Sequence, residues 1–387
     1  MRVGFAFMAG VVLTACSSSM HSLPSASGSD GAWAPVEPTS AYQSIFSFGG
    51  SAGAGPYAGL LDVKGTLYGT TWTGGNGSGV VFKMTPAGSE KVLYSFKGGN
   101  DGSFPYAPLI FVNGALYGTT SSGGPANCGT VFRITLSGAL KTLHDFKNNA
   151  DGCGPQDRLL DVKGTLYGTT NSGGAHMDGT VYKITTSGLE KVLYAFRGSR
   201  YNDAGTPVAG LINVKGVLYG TTNGGGTKQD GTVYRVTLSG SEKVLHIFNG
   251  NDGNSPLSRL LAVGNALYGT TYIGGAHNLG TVFAIGTSGG GFKVIHSFDG
   301  TDGAGPPLGG LVNLNGILYG VTSGGGTGSG TVFSITAAGK EKVLHNFGSS
   351  FDGVNPSGSL ANVGGLFYGV TISGGSNGKG TVYSIQP

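Results

Sequence analysis

The sequence predicts an all-β fold, a seven-bladed β-propeller of four-stranded antiparallel blades, and three observations predict it. A strand, double-glycine turn and strand, first met at residues 67–82 as LYGTTWTGGNGSGVVF, is written seven times. The tyrosine of its L/F-Y-G triplet returns at Tyr68, Tyr117, Tyr167, Tyr219, Tyr268, Tyr319 and Tyr368, a spacing of 49 to 52 residues. Each repeat holds four short runs rich in Val, Ile, Thr, Tyr and Phe between glycine-containing turns, with no convincing helical period. Such a unit cannot bury its faces alone and must stack on copies of itself. Four strands per repeat, seven times over, make a propeller; leucine-rich and β-helical solenoids use shorter repeats and parallel strands.

The composition agrees. The chain has 387 residues, and the repeat makes residues 41–387 one domain where length alone would suggest two or three. Seventy-seven glycines and only 11% charged residues would read as low complexity, but the glycines sit at fixed offsets between apolar runs. The net charge of +4 is scattered rather than clustered, which argues against a nucleic-acid partner.

Residues 1–15 read as an export signal: Arg2 supplies the charge, and residues 4–13 form an apolar core too short to span a bilayer. Leu13-Thr14-Ala15-Cys16 resembles a bacterial lipobox, in which the cysteine becomes the lipidated N-terminus. With Ser17 rather than Asp after it, that resemblance implies an outer-membrane lipoprotein, facing the periplasm or the cell surface, whose membrane contact is the lipid anchor. The alternative is an ordinary signal peptide with an incidental Cys16. Residues 16–40 are rich in Ser, Pro and Gly and read as a disordered tether.

In the first repeat the strands are expected at residues 60–63, 66–71, 80–85 and 91–96, called A to D from the ring axis outward. Asn113-Gly114 and Asn315-Gly316 mark A–B hairpin turns. The last repeat stops at Pro387 after its C strand, while residues 42–49, YQSIFSFG, match the D strand KVLYSFKG at 91–98. The N-terminal strand should therefore complete the last blade and remove the open ends of the ring.

The motifs LYGTTxxGG, GTVFxIT, EKVLYxF and NDGxxP resemble the GloVer tandem repeat of exported bacterial proteins, over about residues 42–387. Its members are called choice-of-anchor because they attach to the envelope in different ways. The resemblance implies an exported surface protein and carries no reaction, cofactor or catalytic residue. Kelch propellers share the double glycine and blade length, but their spaced Tyr and Trp signature is absent.

Up-and-down strands put the B–C and D–A loops on one face, around the channel mouth. Residues repeated in most units are most simply explained by folding. That removes Glu90, Glu190, Glu242 and Glu341, which precede strand D at the rim, and the strand-D histidines His144, His246, His296 and His345. It also removes the D–A loop aspartates Asp101, Asp151, Asp203, Asp252, Asp302 and Asp352, each read as an Asx-type turn because one Asp per loop does not make a calcium site.

The residues that depart from the repeat are the candidates. Arg158 and Arg259 open strand A in blades three and five, and the same blades carry His176 and His277 in their B–C loops. A charge at an inner-strand entrance needs solvent, a carboxylate or a ligand; Asp157 and Asp178 are available as partners. Trp72 and Tyr272 add aromatic surface after strand B. This set suits an anionic or sugar-like ligand, against the alternative of drifted, solvated loop residues. Cys128 and Cys153 lie in loops of that face, and in an oxidising compartment they are expected to pair, the alternative being two unrelated thiols. No Ser-His-Asp or metal-ligand spacing is apparent.

Three functional readings follow. The first is a binding or scaffold module with an envelope protein or glycan partner and no cofactor. The second is a lyase or glycoside hydrolase, for which two carboxyls are usually needed and only aspartates such as Asp157, Asp178 and Asp230 remain. The third is a purely structural envelope protein.

Overall fold

In strand B of every blade a glycine lies directly across from the aromatic residue of strand C, as Gly69 does from Phe82. A Cβ on Gly69 would come within 2.5 Å of the Phe82 ring, so the triplet needs glycine where the ring lies over the strand. The computed structural model of the chain describes residues 42–348 and 351–387, all within one unit, Thr39–Pro387. The signal, Cys16 and the tether lie outside the described residues.

Blade one is Leu61–Val63, Thr66–Thr71, Val80–Met84 and Glu90–Ser95, hydrogen-bonded in that order. The expected boundaries hold to about one residue. Five more four-stranded antiparallel sheets follow in sequence order, and the seventh is completed by Gln43–Ser47. That strand pairs antiparallel with Thr381–Ile385, in the register Ser44↔Tyr383 and Ser47↔Thr381, so the ring closes as the repeat count requires.

The core lies between blades. At each of the seven junctions a strand-D phenylalanine meets the strand-C aromatic of the next blade edge-on. Phe96–Phe132 and Phe196–Tyr234 do so at 5.3 and 5.0 Å, and Phe48–Phe82 closes the ring at 5.2 Å. Edge-to-face rings at this separation add to simple burial. Strand C is apolar on both faces because each face meets a neighbouring blade.

The recurrent Asp does more than the expected Asx-type turn. Asp101 accepts hydrogen bonds from the Tyr94 hydroxyl at 2.6 Å and from the backbone N–H of Lys97, upstream of it. Asp151 does the same with His144 Nε2 and the Lys147 N–H. The carboxylate thus staples the D–A loop back onto strand D, and Tyr or His serves equally as its partner. His144, Asp151 and Glu190 bring ligating atoms within 4.8 Å of one another, but Tyr94–Asp101 shows the same staple without a metal donor.

Candidate functional site

The inner strands begin in a segment that follows a recurrent proline. In blades three and five that segment reads Pro155-Gln156-Asp157-Arg158 and Pro256-Leu257-Ser258-Arg259. One blade further on, a glycine packs on each arginine's own backbone: a Cβ on Gly310 would sit 2.3 Å from the Arg259 carbonyl oxygen, and one on Gly210 3.1 Å from that of Arg158. Small neighbours let these segments crowd the ring axis, and the two long side chains occupy the space left.

Arg158 and Arg259 come from blades that are not adjacent, yet their charges meet. Burial first, and then the neighbouring Arg259 guanidinium, push the Arg158 pKa down to about 10, with Asp157 opposing. Burial also lowers the Arg259 pKa, again against the pull of Asp157. Arg158 stays cationic at neutral pH. Among the described residues neither guanidinium makes a hydrogen bond or an ion pair, and Arg158 Nε is buried without a partner.

The expected carboxylate partners are engaged elsewhere. Asp157 is buried, and its two oxygens accept the backbone N–H groups of Arg158 and Gly210, each at 2.6 Å. Asp178 lies against Gly198, away from the arginines, among His176, Arg200 and Asp203, and burial raises its pKa. Asp230 accepts from Asn254 at 2.6 Å.

The two histidines sit on the outer part of their turns. The double-glycine turn folds back over the end of strand D, as Gly174 toward Ala195 and Gly275 toward Ser297 show. It carries His176 and His277 outward, where both are exposed; the nearest ring to His176 is Tyr201, at 6.5 Å. The structure therefore brings the two arginines together and leaves the two histidines apart from them.

Trp72 and Tyr272 stay at the mouth, 39% and 38% exposed. Trp72 packs edge-on to Tyr57 at 5.8 Å and against Phe104 at 5.5 Å, and Tyr57 stacks on Tyr106 at 4.5 Å. Burial raises the Tyr106 pKa, and the phenols of Tyr57 and Tyr272 raise it further, so hydroxyls from distant blades converge. Sequence reasoning missed Tyr57, Phe104 and Tyr106. The signal for the two tyrosines was the residue after the recurrent proline, which is Tyr in two repeats and Gln, Val or Leu in the next three; Phe104 precedes its proline.

Cys128 and Cys153 are joined in a disulfide with Cα atoms 4.5 Å apart, where the B–C loop of blade two meets the loop entering blade three. The Gly154 N–H donates to the Cys128 carbonyl beside it.

Among solved structures, the chain is similar to an oligogalacturonate lyase in complex with manganese, at 10% identity and TM-score 0.55, over 90% of this chain and 96% of that one. A putative 6-phosphogluconolactonase from Bacteroides uniformis aligns at 14% identity and TM-score 0.53, covering 79% of this chain and 88% of its own. A puromycin-hydrolyzing peptidase from Mycobacterium tuberculosis aligns at 11% and 0.54, over 83% of this chain and 49% of its own. These likenesses extend to the fold alone. No curated protein matches the sequence. The Gloeobacter/Verrucomicrobia repeat matches twice in tandem, over residues 23–215 and 191–383, and the chain belongs to that family.

Proposed function

We propose that the chain is a binding module of the cell envelope, held there by a lipid on Cys16, which takes an anionic ligand at the channel mouth through Arg158 and Arg259. One observation carries this reading: two guanidiniums from non-adjacent blades lie within electrostatic reach of each other, half-buried, without hydrogen bond or ion pair. Asp157 offsets one of the two charges, and the positive charge left over costs stability out of water unless an anion joins it. Guanidinium forks match carboxylate, sulfate or phosphate oxygens in paired hydrogen bonds. The aspartates considered for acid–base work are tied to backbone or side-chain partners or lie apart from the arginines, so what gathers at the mouth is an anion receptor.

Titration of the full chain with sulfate, followed by calorimetry at low ionic strength, tests this. Saturable binding that weakens with added salt and is lost in Arg158→Gln and Arg259→Gln is expected. Sulfate binding unchanged by both substitutions, or none at all, overturns the reading.

A further inference from the structure

We propose that this same face binds a uronic-acid oligosaccharide, its sugar rings laid on the aromatic surface of Tyr57, Trp72, Phe104, Tyr106 and Tyr272 and a carboxylate reaching Arg158 and Arg259. The inference rests on the anionic-ligand reading and adds the ligand's class.

Three observations support it. The aromatic rings are contiguous, running Tyr106–Tyr57–Trp72–Phe104 with centroids 4.5 to 5.8 Å apart, and the Tyr272 hydroxyl approaches from blade five. Such a surface is wider than one sugar ring and suits an extended ligand. Second, the residue before the recurrent proline has positive φ in every repeat, Thr206 at +56° and Phe104 at +58° among them, and only the second repeat places an aromatic there. Phe104 uses that position to set its ring beside Trp72.

Third, the tyrosines sit two residues ahead of the positions that Arg158 and Arg259 occupy in their own repeats, with Gly59 and Pro108 at those positions. The aromatic and cationic side chains therefore come from neighbouring positions of the same inner segment. Aromatic faces present negative quadrupole charge to C–H groups, while the phenolic edges supply hydrogen-bonding hydroxyls. A pyranose ring offers both complements, and its carboxylate matches the guanidinium fork. The export signal read in residues 1–15 sets the chain among envelope polysaccharides rather than nucleotides.

Calorimetry on the full chain with a hexauronate, its methyl ester, inorganic sulfate and ATP is the test. Hexauronate is expected to bind, and the ester at least tenfold more weakly. Trp72→Ala and Tyr272→Ala, both at exposed positions, should each weaken hexauronate roughly tenfold and leave sulfate unchanged. Sulfate binding with hexauronate no tighter than sulfate would overturn the saccharide inference and leave the anion reading standing. ATP bound in preference to hexauronate would overturn it in favour of a nucleotide. Loss of sulfate binding itself would remove both.

Discussion

A Cβ on Gly380 would lie 2.7 Å from Cδ of Pro56, more than 320 residues away in the chain. The same contact recurs at every blade junction, as Gly79 with Pro105 and Gly231 with Pro256, and the Gly380–Pro56 pair closes the ring. Gly380 also has φ +97°, and the same Cβ would lie 2.3 Å from the Thr371 carbonyl oxygen, so there is neither room nor a relaxed backbone for a side chain. Gly380→Ala is expected to cost about 2 kcal/mol or more. Gly378→Ala, which has positive φ but open space, should cost less. Deleting residues 42–48 should lower the melting temperature further, because strand Thr381–Ile385 loses its outer partner. Equal melting curves for the two alanine variants would show that the Pro56 contact contributes nothing.

The hydroxyls of Tyr182, Tyr234 and Tyr383 are buried without a hydrogen-bond partner, at a position where the other four repeats place Phe. A buried donor left unpaired is costly. Tyr182→Phe is expected to leave stability unchanged or raise it by about 1 kcal/mol in urea unfolding. A loss of that size would mean the hydroxyl has a partner after all.

Three half-buried glutamates at blade junctions set a pH dependence. Burial and then the nearby Asp203 charge push Glu242 up to about 8, and burial and Asp151 push Glu190 up to about 7; Glu341 also lies at about 7, from burial and then Asp302 and Asp299. Each binds its proton more tightly folded than unfolded, so its contribution falls as pH rises from the ordinary 4.5 toward the folded value. His246 and His345 act in the opposite sense, since burial lowers their pKa below 6.5 and folding then gains as pH rises toward that value. Above about pH 7 the glutamates alone remain, and the melting temperature should decline toward pH 8. Glu242→Gln should flatten that decline, and an unaltered slope would exclude Glu242 as its source.

The disulfide closes a loop of 25 residues, worth about 3 kcal/mol in the chain-entropy account. Intact-mass measurement of unreduced, exported protein should show no free thiol at Cys128 or Cys153. The Cys128→Ser/Cys153→Ser double variant should unfold at correspondingly lower urea.

For the anchor, Cys16→Ala is expected to abolish labelling by radioactive palmitate and to release the protein from the membrane fraction. Retention of the variant, with no label on the unaltered chain, would rule out lipidation at Cys16.

The sequence by itself determined the blade count, the strand order and the closing strand. Periodicity counts units directly, and the missing last strand is found, motif for motif, at residues 42–49. It also marked Arg158 and Arg259, because a departure from a repeat stands out against the five copies that lack it. What only the tertiary structure decided was which departures meet. His176 and His277 share blades with the arginines, yet the double-glycine turn folds them outward over strand D. Tyr57 and Tyr106 looked like ordinary variation, yet ring packing stacks them and sets the Tyr272 phenol near Tyr106 from across several blades. The physical reason is that a repeat encodes local strand pairing within each blade, whereas the channel mouth is assembled from one short segment of every blade. Its side chains become neighbours only when the ring closes.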